Sequence, residues 1–203
     1  YKANRPDEMP DDLKIQWPNI KSLFRHLHIP VIEEAGFEAD DMIGMIVEQT
    51  LRPLSGQATK NLKIVIVSGD VDIFQLIDDD RVVVYTMRKS LEDTVLYNEE
   101  KVFERFGFAP SLLPDYKGLR GDTSDNIVGV PGIGEKTGSE LIKHFGSLEN
   151  IYKSIESKTF VRPPFLKERI VELLKKHKED AFFSKELATI QKTAPVDFQY
   201  RTF

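Results

Sequence analysis

Two short apolar runs separated by a helical pattern limit this chain more than any other feature. Residues 62–67 are apolar apart from Lys63 and end at Ser68-Gly69-Asp70. Arg81-Val82-Val83-Val84-Tyr85 forms the second run. Unbroken apolar runs of this length read as strands covered on both faces. Between them Ile73 to Ile77 carries a short helical pattern. Strands alternating with helices imply an α/β fold with a mainly parallel sheet. Such a sheet places the carboxyl ends of its strands at one edge, where open α/β sheets build their sites.

The helical segments flank these runs. Asp11 and Asp12 open a pattern in which Ile20, Leu23, Phe24 and Leu27 form the apolar stripe of a helix packed on a core. Pro18 is expected to kink or restart that helix, because it lacks a donor. Pro30-Val31-Ile32 reads as a short strand closed by Gly36, and a second helix begins near Phe37 and runs toward Leu51. A polar loop covers residues 52–61. Beyond residue 98 the chain turns helical: Asn98 caps a helix stopped by Gly107, a helix over residues 111–119 ends at Gly121, one starting at Glu135 stops at Gly146, and Ser147 caps the next. Two further helical patterns surround Ile170–Leu174 and Phe182–Ile190.

Composition narrows the class. The 203 residues, 40% of them hydrophobic, suit one domain with an appended subdomain. No stretch approaches the ~18 apolar residues of a membrane span, and no signal peptide is visible. The absence of Cys excludes disulfides and thiolate metal sites and fits a cytoplasmic setting. A net charge of −5 argues at first against a nucleic-acid partner.

Three acidic clusters carry the chemistry. Glu38-Ala39-Asp40-Asp41 opens a helix, where acids also serve as ordinary N-terminal charges. Asp70-Val71-Asp72 follows the first apolar run directly, and Gly121-Asp122-Thr123-Ser124-Asp125-Asn126 forms an acidic turn. Each alone could be a cap or a turn. Brought to one sheet edge, seven carboxylates would repel without a cation, and hard divalent ions with oxygen ligands, Mg²⁺ or Mn²⁺, fit them best. No His or Cys lies near, which disfavours zinc. Two such ions ~3.5–4 Å apart suit in-line displacement at a phosphodiester. Asp78-Asp79-Asp80 lies between helix and strand, at the opposite edge, and reads as a solvated loop.

Gly129-Val130-Pro131-Gly132-Ile133-Gly134-Glu135-Lys136-Thr137 precedes an amphipathic helix. Its glycines permit a tight turn, and the helix N-terminus offers free N–H groups to a backbone phosphate. It follows no buried strand and lacks a Gly-Lys-Ser/Thr ending, so it is neither a dinucleotide fingerprint nor a P-loop.

Together, in this order, these four motifs resemble the 5′→3′ exonuclease domains of bacterial DNA polymerase I, within the flap endonuclease (structure-specific 5′-nuclease) family. The resemblance runs from Tyr1 to about Phe198. It implies a PIN-like core, an α/β layer with a mainly parallel sheet, followed by a helical helix-hairpin-helix subdomain. On that reading residues 1–120 form the nuclease core, 121–160 the DNA-binding region and 161–203 a helical tail. It further implies a two-metal site in which Glu38, Asp40, Asp41, Asp70, Asp72, Asp122 and Asp125 match metal-binding carboxylates. Gly132, Ile133 and Gly134, with Lys136 and Thr137, match the hairpin that grips duplex DNA, often with a bound K⁺. Lys2 and Arg5 match cations at the base of a helical arch, near the scissile phosphate and its neighbour.

The implied substrates are DNA with a 5′ flap, a nick or an RNA primer, acted on in the bacterial cytoplasm by a monomer or by part of a larger polymerase chain. Family members carry further aspartates upstream of Tyr1. The opening Tyr1-Lys2-Ala3-Asn4-Arg5-Pro6 reads as the middle of a longer chain, so the alternative is a non-catalytic duplex-binding fragment with an incomplete metal site. Setting the seven carboxylates aside leaves 26 acidic against 28 basic residues, which removes the objection from net charge.

Overall fold

A computed structural model describes residues 2–3, 10–52, 62–78, 81–87, 93–195 and 198. Arg5, most of the loop 52–61, Asp79 and Asp80 lie outside the described residues. The described strands form one small mixed sheet in the order β1 (Ile64–Val67), β2 (Val82–Met87), β3 (Thr94–Tyr97). β1 pairs parallel to β2 with Ile64 opposite Val82, and β2 pairs antiparallel to β3. A 3₁₀ turn over Asp72–Leu76 follows β1 and buries Ile73, Phe74 and Leu76. β3 has no counterpart in the sequence reading: Thr94-Val95-Leu96-Tyr97 is too short to display a period.

Eight helices complete the described chain: α1 (Asp11–His26), α2 (Ala39–Leu51), α3 (Glu99–Phe106), α4 (Leu113–Arg120), α5 (Glu135–Phe145), α6 (Leu148–Ile155), α7 (Glu168–Lys176) and α8 (Lys178–Ala188). The later boundaries follow from local capping. The Asn98 side chain accepts the Lys101 N–H at the start of α3, and Gly107 ends it in the left-handed region at φ 79°. Ser147 accepts the Asn150 N–H at the start of α6. The main hydrophobic core runs from the sheet through Phe74, Tyr116 and Leu119 to Leu141, Ile151, Leu174 and Ile190, and a second, smaller cluster holds Met42, Met45 and Ala194. No described helix is long and apolar enough to cross a membrane.

Four expectations are corrected. α1 buries no residue, and Leu23, Phe24 and Leu27 are exposed; its apolar stripe faces away from the described core. Pro18 does not restart it, since the missing hydrogen bond falls on an exposed turn where water can serve the freed carbonyl. Pro30-Val31-Ile32 is not a strand, for it finds no ladder to join among the described strands. β1 is covered on one face only: Ile66 is buried, whereas Val65 and Val67 are 52% and 65% exposed on an edge strand.

Candidate functional site

The three acidic clusters meet. Carboxylate oxygens of Asp72, Asp122 and Asp125 all lie within 4.8 Å of one another. Two local devices bring them there. Asp72 heads the 3₁₀ turn after β1, where its N–H donates to Asp70 Oδ1 at 2.9 Å and the Asp70 N–H donates to Ser68 Oγ at 3.0 Å. Asp122 and Asp125 sit on a loop closed by paired backbone bonds between Asp122 and Ile127, at 2.7 and 2.8 Å. That loop needs two glycines. Gly121 and Gly129 have φ of +76° and +65°, and a Cβ on Gly129 would stand 2.2 Å from the Gly121 nitrogen.

The first cluster and Lys2 line an adjoining cleft of about 760 Å³, whose walls include Glu38, Asp40, Asp41, Asp70, Asp72 and Asp125. Lys2 spans it: its backbone N–H donates to the Asp125 carbonyl at 2.8 Å, and its Nζ pairs with Glu38. Asp41 faces differently. Its Oδ2 accepts the Glu38 N–H at 3.0 Å, closing a capping box, and its Oδ1 accepts the Gln191 N–H at 2.8 Å. The far wall comes from α8 and residues 189–191, with Phe183, Glu186 and Leu187 among them.

The electrostatics report the crowding. Burial, then the charges of Asp70, Asp72 and Glu38, push Asp40 up to about 6, with Lys2 offsetting part of the rise. Burial likewise raises Asp72 against the opposing charge of Lys117. Asp122 goes the other way: burial works to raise it, but hydrogen bonds from Lys117 and Ser124 carry it down to about 2. Lys117 itself is buried, which weakens its hold on a proton, yet Asp72 and Asp122 more than compensate and raise it.

Lys117 is the residue that sequence reasoning missed. Its Nζ bridges Asp72 and Asp122 from inside α4. The only signal was a lone Lys between apolar Tyr116 and Leu119, five positions before Asp122. The donor set fits a hard divalent cation, being all carboxylate oxygen and closely gathered.

The glycine hairpin forms a separate surface. Ile133 is buried and anchors it, while Gly132, Gly134 and Lys136 are exposed and Thr137 is half-buried at the N-terminus of α5. A Cβ on Gly132 would come 3.1 Å from Leu173 Cδ1, and its φ is +92°. The hairpin is fixed from beneath, where the Gly129 N–H donates to buried Ser184 Oγ at 3.0 Å and the Val130 N–H to the Leu119 carbonyl at 2.8 Å.

A resolvase-like α/β half joined to a helical half of the SAM type defines the class. The chain belongs to the 5′-3′ exonuclease family, whose N-terminal resolvase-like domain matches residues 1–107 and whose C-terminal SAM fold matches residues 108–203. Among its relatives, the DNA polymerase I of Caldicellulosiruptor bescii is 41% identical over 97% of this chain, which spans 21% of that protein. The DNA polymerase I of Bacillus subtilis is 39% identical over 97% of the chain, again 21% of the relative. The 5′-3′ exonuclease of Buchnera aphidicola is 39% identical, covering 94% of this chain and 59% of that one. The chain thus spans about a fifth of the polymerase relatives. In fold it matches the bacteriophage T5 D15 protein co-crystallised with metal ions, with a TM-score of 0.70 at 23% identity over 94% of this chain and 67% of that one. It also matches the catalytic core of Rad2 in complex with DNA, with a TM-score of 0.56 at 21% identity over 98% and 61%.

Proposed function

We propose that the chain is the nuclease part of a DNA polymerase I-like protein, a divalent-metal-dependent 5′→3′ exonuclease and 5′-flap endonuclease that hydrolyses phosphodiester bonds in DNA replication and repair. The observation that carries the reading is the convergence of Asp72, Asp122 and Asp125 within 4.8 Å. Glu38, Asp40 and Asp70 complete the ligand set from the adjoining cleft. The names of the matched structures, a metal-bound T5 protein and a DNA-bound Rad2 core, support it. When bound, a pair of Mg²⁺ or Mn²⁺ ions supplies an activated water and neutralises charge on the attacking and leaving oxygens.

The chain's own groups do the rest. Lys2, held at the cleft by Asp125 and Glu38, places an ammonium where a scissile phosphate would enter. Arg5 is assigned a neighbouring phosphate. Gly132, Ile133 and Gly134 let duplex backbone approach the N-terminus of α5, with Lys136 and Thr137 beside it and K⁺ as a further bridging charge. The division of labour is a core over 1–120, a duplex grip over 121–160 and a tail over 161–203. The DNA would carry a 5′ flap, nick or RNA primer, in a bacterial cytoplasm.

The test is cleavage of a labelled 5′-flap duplex across a Mg²⁺ or Mn²⁺ titration. Metal-dependent cleavage that Asp122→Ala abolishes, with duplex binding retained, is the expected result. Undiminished cleavage by that variant would sink the site assignment. Binding without cleavage at any metal concentration would favour a non-catalytic duplex-binding role.

A further inference from the structure

We infer that Asp41 is a positioning residue rather than a metal ligand: it ties the acidic start of α2 to the segment after α8, and so sets where Glu38 and Asp40 stand relative to Asp72. The inference rests on the metal-site reading above.

Residues 188–191 run between two elements that carry acids. On one side Gln75, in the 3₁₀ turn headed by Asp72, grips the segment twice: its Nε2 donates to the Ala188 carbonyl and its Oε1 accepts the Ile190 N–H, both at 3.0 Å. On the other side lies α2. A Cβ on Gly44 would come 2.6 Å from Ile190 Cγ2, so helix and segment touch at a position open only to glycine. Asp41 makes the polar tie on this side, through the 2.8 Å bond from the Gln191 N–H. The segment is therefore a brace, pinned to the element of Asp72 by Gln75 and to the element of Glu38 and Asp40 by Asp41.

Both Asp41 oxygens take a backbone donor, one from Gln191 and one from Glu38. That fixes the carboxylate plane on main-chain N–H groups, while the close cluster of Asp72, Asp122 and Asp125 forms without it. A carboxylate that orients neighbouring ligands acts through geometry, and loss of such a partner weakens metal affinity although no ligand is removed.

The distinction is readable at the donor: Gln191→Pro removes the N–H that Asp41 Oδ1 accepts and leaves every carboxylate in place, whereas Asn at position 41 keeps one of the two acceptors and turns an NH₂ toward the other backbone N–H. Mn²⁺ binding is measured by titration calorimetry on the parent chain and on Asp41→Ala, Asp41→Asn and Gln191→Pro, with thermal melts to confirm folding. We expect Asp41→Ala to weaken Mn²⁺ binding about tenfold or more, Asp41→Asn to fall between Ala and the parent, and Gln191→Pro to weaken binding about threefold or more. Gln191→Pro binding Mn²⁺ as tightly as the parent while Asp41→Ala does not would show a ligand and overturn the inference, and so would an Ala variant that binds normally.

Amide hydrogen exchange at Glu38 and Gln191 reads the same brace with no metal present. If the parent binds no Mn²⁺, the proposed function fails, and the brace is judged by exchange alone. Faster exchange at both amides in Asp41→Ala upholds it, and unchanged exchange overturns it.

Discussion

The Nζ of Lys117 stands 2.5 Å from Asp122 Oδ2, in the interior of the acidic cluster. Asp72 contacts the same ammonium from the other side, so one buried cation separates two carboxylates drawn from distant parts of the chain. Their side chains are only 14% and 16% exposed, too little for water to screen their repulsion well. Lys117 thus offsets the repulsion between the two carboxylates that it separates.

Replacing Lys117 with Met removes that cation and leaves its partners facing each other. Breaking a buried pair in this way costs about 3 kcal/mol or more. Urea unfolding without metal should show that loss, and saturating Mg²⁺ should shrink it as the divalent charge takes over. An equal loss with and without Mg²⁺ would contradict the proposed role.

The opposite shifts of Asp40 and Asp122 give the site a pH signature. Asp40 rises from 3.8 to about 6, so its ionised form opposes folding. The stability it contributes as a neutral acid is full below 3.8 and is lost as pH rises through about 6. Asp122 falls to about 2, so its contribution is present above 3.8 and is lost as pH drops toward about 2. Carboxyl carbon NMR on the metal-free chain should place the Asp40 midpoint near 6, with Asp122 still ionised when ordinary aspartates titrate. An Asp40 midpoint near 3.8 would contradict the packing of the four acids.

Gly118 is held by contact, not conformation. A Cβ there would lie 2.5 Å from Leu148 Cδ1, 2.9 Å from the Ala181 carbonyl oxygen and 3.0 Å from Lys185 Cβ, where α4 crosses α6 and α8. Ala at a helical Gly normally stabilises by about 1 kcal/mol, but overpacking against backbone costs about 1–3 kcal/mol. Gly118→Ala should therefore lower the urea midpoint. A raised midpoint would show that α8 can move away.

Ser184 connects α8 to the hairpin through its hydrogen bond with the Gly129 N–H. Ser184→Ala fits the space but leaves a buried N–H without an acceptor, which costs about 1–3 kcal/mol. The expected result is a stability loss of that size together with weaker duplex binding, measured by fluorescence anisotropy. Unchanged values for both would show that water replaces the hydroxyl.

Local signals were legible in sequence and distant ones were not. The ends of α3, α5 and α6 follow from Asn98, Gly107, Gly146 and Ser147, because each cap is a contact within a few residues. The place of Asp70 and Asp72 follows from where a strand ends in an α/β sheet, whereas Asp122 and Asp125 reach Asp72 on the loop after α4, next to no strand. The stripe of Ile20, Leu23, Phe24 and Leu27 has helical periodicity, and α1 is a helix; periodicity states which residues share a face and not what that face meets. Lys117 was invisible because its partner Asp72 is 45 residues away. The Asp41–Gln191 tie crosses 150 residues and uses a backbone N–H, which no residue pattern marks.

The central claim is that Asp72, Asp122 and Asp125 hold a divalent cation, and Mn²⁺ in the crystal tests it most directly. Anomalous scattering from Mn²⁺-soaked crystals should show a peak coordinated by oxygens of all three, with the Lys117 Nζ withdrawn from the space it now shares with Asp72 and Asp122. A fully soaked crystal with no peak among these carboxylates, and Lys117 still seated between them, would contradict it.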